Sequence, residues 1–300
     1  MRIEAKEKKI GKGTVVEDCI LLTSGKLEIG SNVQIKEGVV INAYNGIKIG
    51  DDTIIDRRVI IGGLQSQHSY FEVGSRCVIL HESYINTTRE VIIGNNVGIG
   101  GRCMLFTHGT WQNIFQGYPV SFGKILIEDD AWLPWHVMVL PNVIIGRGAT
   151  LGAGSLVTKN IPPYSLAVGV PAKVIKMEGY PKQQTIEEKD EIAKNTLRDF
   201  MGYMNEFKGR KVNLSEKAGI IVIRDAKGET EFIYCKSIKS PKIRDKTLVS
   251  FNIPESYWKH NDWIDLEQET MSIKDDNWLA HEFVSFVRRY GVRPVVQETK

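Results

Sequence analysis

From Ile10 to Val157 the aliphatic positions recur every six residues, a step that matches neither the 3.6-residue turn of a helix nor the plain alternation of a strand. Ile127, Leu133, Val139, Ile145, Leu151 and Val157 keep this step without a slip. The fifth position of each hexad is small or β-branched: Ala131, Val137, Val143, Ala149 and Ser155. Upstream the hexads come in triplets: Ile10, Val16, Leu22; Ile29, Ile35, Ile41; Ile49, Ile55, Ile61; Val73, Ile79, Ile85; Ile93, Ile99, Leu105. Across seven triplets all 21 lead positions are Ile, Leu or Val. This period predicts short flat faces, each turning one aliphatic side chain inward, with a small residue at a tight corner. Three hexads make a triangular turn, and stacked turns pair their strands in parallel about 4.8 Å apart. The expected fold is mainly β, a parallel β-helix of about seven triangular coils.

Twenty-two of the 28 glycines lie before residue 177. Gly11, Gly30, Gly50, Gly74, Gly94, Gly146 and Gly152 directly follow lead residues, which assigns them to corners with left-handed backbone angles. Cys77 and Cys103 hold the small fifth position and read as core filler. Insertions fall only between triplets: Ile61 to Val73 is 12 residues, Ile85 to Ile93 is 8, and Leu105 to Ile127 is 22. Every loop therefore leaves from one corner of the prism, and the longest, about 107 to 124, is a candidate functional arm.

After Val157 a turn-rich segment closes the repeat. Ala193, Leu197, Phe200, Met204 and Phe207 follow at helical spacing, an amphipathic helix within 185–207 suited to capping the open end of the coil. Ile220–Ile223 and Glu231–Tyr234 read as a hairpin, and Asn277–Tyr290 as a helix. The expected division is a β-helix domain over 1–178 and a helix plus small α+β domain over 179–300. Trp258, Trp263 and Trp278 read as core of the latter.

Composition narrows the function classes. Lys plus Arg number 39 against 36 Asp plus Glu, net +3, without the basic excess that nucleic-acid binding calls for. No apolar run approaches the roughly 20 residues of a membrane span, and the charged N-terminus has no signal-peptide core, so a cytoplasmic location is expected. Cys19, Cys77, Cys103 and Cys235 lack the spacing of a disulfide framework or a zinc site, and no metal is expected.

Three features together resemble the left-handed β-helix, or hexapeptide-repeat, acyltransferases: the hexads in triplets, the arm carrying Thr107-His108-Gly109, and the tail. The tail runs from Ile145-Gly-x-Gly-Ala-x-Leu-Gly-Ala-Gly-Ser-Leu-Val-Thr-Lys-Asn-Ile-Pro-Pro-Tyr to Gly169-Val-Pro-Ala-Lys-Val-Ile. Within the family the sequence is most similar to the sugar and xenobiotic O-acetyltransferases, over roughly residues 10 to 177. The resemblance implies acetyl-CoA as donor, a homotrimer, and active sites in grooves between adjacent prisms.

Of six histidines (His68, His81, His108, His136, His260 and His281), only His108 sits at the family's position, which implies that it is the general base. Histidine suits a proton transfer near neutral pH. Trp132, on the second face after the arm, corresponds to a tryptophan lining the channel where thioester meets acceptor; packing a subunit contact is the competing role. Where relatives carry Gly-Ser or Gly-Ala, this chain has Leu133-Pro134-Trp135. Proline has no N–H, so a backbone oxyanion donor falls to Trp135 or elsewhere. By resemblance Ala153, Thr158 and Lys159 line the pantetheine and adenine end, and Lys173 or Lys176 meets the phosphates. Asn86 and Glu82 are the candidates for acceptor hydroxyls, with Glu82 also a candidate to orient His108. Trp111, Phe115 and Tyr118 on the arm are placed to stack on a sugar ring, or to pack the arm onto a neighbouring subunit.

The implied activity is acetyl transfer from acetyl-CoA to a hydroxyl of a sugar or surface-glycan unit. N-acetylation of an amino sugar or antibiotic uses the same fold and base, and a non-catalytic scaffold is the remaining alternative. The metal-dependent β-helix hydratases need a close histidine pair that is missing here. The C-terminal domain is expected to shape the acceptor entrance or extend the trimer contact.

Overall fold

The computed structural model describes residues 1–236, 247–258, 262–274 and 276–297. It divides into two compact units, Met1–Gln183 and Gln184–Lys300.

The first unit is a parallel β-solenoid of about eight turns with three faces. Face one stacks eight strands, from Arg2–Glu4 to Leu156–Val157; face two stacks seven, from Glu7–Ile10 to Val143–Ile145. Face three runs from Val15–Val16 to Leu166–Val168 and ends on an antiparallel strand, Lys173–Lys176. The coil thus extends past the seven predicted triplets, through Ile3 at one end and through Ile161 and Ala167 at the other. All lead residues from Ile29 to Val157 are buried. Each such aliphatic side chain stabilises the fold by about 1.5–3 kcal/mol relative to exposure.

In the first triplet Ile10 and Val16 stand in register with Ile29 and Ile35, and only the third lead slips by one residue. Leu21, not Leu22, is fully buried, because it lies in register with Ile41 while Leu22 pairs with Asn42. Ile10 remains 46% exposed on the terminal rung.

The glycine assignment also needs correction. Gly11, Gly30, Gly50, Gly74, Gly94, Gly146 and Gly152 do not have left-handed angles; those belong mostly to the residue three after the leads of faces two and three, such as Asn32, Asp52, Arg58, Glu82, Asn96, Arg102 and His136. The glycines after the leads are demanded by the stacking distance instead. A Cβ on Gly50 would lie 2.5 Å from the backbone carbon of Gly74 in the next coil. Cys77 and Cys103 are buried, their thiols directed at the carbonyls of Gly94 and Pro134 at 3.1 and 3.0 Å.

All three insertions leave from the corner between faces one and two, here the first corner. The corner between faces three and one, here the third, carries Arg58, Glu82, Arg102 and His136 in succession. The outward row of face one is apolar along nearly the whole coil: Ile20, Val40, Ile60, Tyr84, Met104, Met138 and Leu156 stand in register.

The second unit is α+β. Among the described residues a mixed seven-stranded sheet runs from Val212–Lys217 to Val295–Val296. It packs with helices α1 (Ile186–Glu206) and α2 (Trp278–Val287). Thr185 and Glu188 form a capping box on α1. Ala193, Leu197, Phe200 and Met204 are buried in this unit's own core, where Phe200 meets Phe283 and Phe286 at 5.4 Å. The apolar face expected to cap the solenoid is therefore consumed by the C-terminal sheet. Trp263 is fully buried against Trp258, and Trp278 packs on the main cluster under the Arg210 guanidinium. No helix among the described residues is long and apolar enough to cross a membrane.

Candidate active site

The long arm is a hairpin rooted at the first corner. Its ends pair antiparallel, His108 opposite Phe122 and Gly109 opposite Ser121. This sets the His108 ring against Phe122, with centroids 4.6 Å apart and planes at 32°. His108 is half-buried, and among the described residues neither ring nitrogen is engaged in a hydrogen bond. The guanidinium of Arg89 lies 4.6 Å from the centroid of the same Phe122 ring. Phe122 and Arg89 escaped the sequence reading. The available signal was Phe122's place at the returning end of the arm, opposite a histidine at its start.

The root is fixed from beneath. The buried hydroxyl of Thr107 lies 2.8 Å from both the carbonyl oxygen and the Oδ1 of Asn86, and it accepts the backbone N–H of Arg89 at 3.0 Å. Thr88 Oγ1 accepts the N–H of Leu64 at 3.0 Å. The three insertions thus share one polar knot, which satisfies their buried backbone groups. Asn86 belongs to this knot; its Oδ1 also accepts the Thr88 N–H, and its amide nitrogen donates to the Tyr84 hydroxyl. Asn86 sits under the catalytic candidate, with its carbonyl committed.

Glu82 lies elsewhere. At the third corner its carboxylate accepts Arg58 at 2.6 Å and Arg102 at 2.8 Å, and the two guanidinium groups hold its pKa down to about 2. The structure does not bring it to His108. Trp111 and Phe115 are each 94% exposed at the arm's tip, and Tyr118 is exposed nearby.

The remaining candidates fall in three places. Trp132 faces outward on face three, its indole lying across Gly98; a Cβ there would come within 2.3 Å of the ring. Trp135 turns the third corner over Gly101, its indole edge-on to His81 at 5.0 Å, and His81 Nδ1 lies 3.3 Å from Asp56. Among the described residues the Trp135 N–H has no acceptor. Ala153 follows one rung on at this corner. Thr158 and Lys159 are exposed at the first corner, two rungs past His108, roughly 10 Å along the stack. Lys173 and Lys176 are exposed on the closing strand of face three. First and third corners are one face apart, about six residues or ~20 Å. A single chain therefore separates His108 from Trp132 and Trp135. Among the described residues no group of His, Cys, Asp and Glu is arranged to hold a metal, and His260 lies outside the described residues.

No family model matches the chain. A Schizosaccharomyces pombe protein, provisionally named an acetyltransferase, is 46% identical over 89 residues, 29% of this chain and 42% of its own length. The galactoside O-acetyltransferase of Escherichia coli is 35% identical over 118 residues, 36% of this chain and 57% of its own length. The chain therefore spans only about half the length of these curated relatives. A hexapeptide-repeat acetyltransferase of Vibrio cholerae, solved with acetyl-coenzyme A, superposes with a TM-score of 0.34 at 21% identity, over 43% of this chain and 70% of that one. Over these stretches, which lie within the hexapeptide coil, the chain is similar to acetyltransferases.

Proposed function

We propose that the chain is an acetyl-CoA-dependent acetyltransferase that acylates a sugar hydroxyl, with His108 as general base. The observation that carries this reading is His108 itself, stacked on Phe122 at the root of the arm with both ring nitrogens uncommitted among the described residues. The name of the Escherichia coli relative, a galactoside O-acetyltransferase, favours a sugar hydroxyl as acceptor.

In the proposed reaction the unprotonated imidazole takes the hydroxyl proton as the sugar oxygen attacks the thioester carbonyl carbon. The new C–O bond forms while the carbonyl π electrons move onto oxygen, and the Trp135 N–H is the candidate donor to that oxyanion, since Pro134 has none. Collapse breaks the C–S bond, and the imidazolium returns its proton to the departing CoA sulfur. His108 is restored, and the products are an acetyl ester and free CoA. Trp132 flanks the thioester; Ala153, Thr158 and Lys159 follow the pantetheine, and Lys173 and Lys176 offer cations to the phosphates.

A homotrimer reunites the two corners. The apolar outward row of face one and the exposed Trp111 and Phe115 favour burial against further copies of the chain. The test combines an acetyl-CoA thermal shift with CoA-thiol release across hydroxyl and amino sugars. The expected result is a higher melting temperature and release with a hydroxyl acceptor. Absence of the shift overturns the enzyme reading, and release with amines alone overturns the O-acetylation.

A further inference from the structure

We infer that Arg89 selects an acceptor sugar that carries an anionic group, a carboxylate or phosphate, close to the hydroxyl being acetylated. The inference rests on His108 being the base.

The geometry ties Arg89 to the reacting position through one shared ring. Its guanidinium lies 4.6 Å from the centroid of Phe122, and the His108 ring lies 4.6 Å from the same centroid. Its position is set by neighbours on the coil, since its backbone N–H donates to Thr107 Oγ1, immediately before His108. Arg89 is half-buried, and one of its five N–H donors is used, on the Thr88 carbonyl at 3.1 Å. Among the described residues no carboxylate pairs with it. Three corner arginines are instead held by carboxylates: Arg58 and Arg102 meet Glu82, and Arg147 meets Asp129. A guanidinium over an aromatic ring keeps its in-plane N–H fork free, and that fork matches two oxygens of a carboxylate or phosphate.

Position along the stack separates this cation from the donor. The candidate CoA-binding residues Thr158 and Lys159 lie two rungs from His108 toward the C-terminus, while Arg89 leaves the coil one rung on the opposite side. An anion at Arg89 therefore belongs to the molecule that donates the hydroxyl. The rival role is a cation–π staple that holds the arm to the coil.

Glucuronate and glucose 6-phosphate, each compared with glucose, separate the two anions. For the native protein kcat/KM should favour at least one anionic sugar over glucose by about tenfold or more, the scale of a charge-assisted hydrogen-bonded contact. In Arg89→Gln that ratio should fall close to one, chiefly through the KM of the anionic sugar, and Arg89→Lys should recover part of it. Calorimetric binding of the three sugars, with CoA present, reads the same preference without turnover. If acetyl transfer fails with every sugar, the acetyltransferase reading falls, while the binding ratio still decides the role of Arg89. A ratio near one in the native protein, an unchanged ratio in Arg89→Gln, or a changed oligomer mass in that variant overturns the inference.

Discussion

Gly98 and Gly101 leave the space that the indoles of Trp132 and Trp135 lie across. A Cβ on Gly101 would sit 2.4 Å from the Trp135 ring. Gly101→Ala should displace that ring, cost about 1–3 kcal/mol as an overpacking change, and raise the KM for acetyl-CoA. Denaturant melts and initial rates check both effects; an unchanged KM would detach Trp135 from the donor site. Glu82 offers a second test at this scale. Its folded pKa, about 2, lies below the ordinary carboxyl value of 4.5, so its contribution is present above the ordinary value and lost as pH falls through the folded one. Glu82→Gln should therefore lower the urea midpoint at pH 7, and the gap to the native protein should narrow from pH 4.5 toward 2. A gap independent of pH would mean that the Arg58–Glu82–Arg102 ladder stabilises by packing alone.

At the scale of the element, the coil was readable because one physical demand, an inward aliphatic every sixth residue, is repeated on every rung. The reading slipped where that demand is ambiguous. Leu21 and Leu22 are identical in hydropathy, and only the register with Ile41 decides which turns inward. Leu21→Ala should cost about 2–5 kcal/mol and Leu22→Ala distinctly less, as measured by chemical denaturation; equal costs would restore the hexad phase. The corner glycines were found for the wrong reason, because a sequence does not distinguish a backbone that needs a positive φ from one that another coil approaches closely. Left-handed positions here are held largely by Asn, Asp, Arg, Glu and His. His108 was legible through its motif and its fixed relation to the repeat. Phe122 and Arg89 were not, because their meeting depends on the antiparallel register of a hairpin and on a loop from the rung before it.

At the scale of the whole molecule, the two units have separate cores, and the proposed site lies divided between the first and third corners of the solenoid in one chain. Light scattering should give a mass near three times 33.8 kDa; a monomer that is fully active would contradict the shared site. The most direct test of the central claim is steady-state acetyl transfer by His108→Ala beside the native chain, with the melting temperature as a control for folding. His108→Ala should lose about 10²–10⁴-fold in kcat with folding intact, whereas full retention of transfer by the folded variant would rule His108 out as the general base.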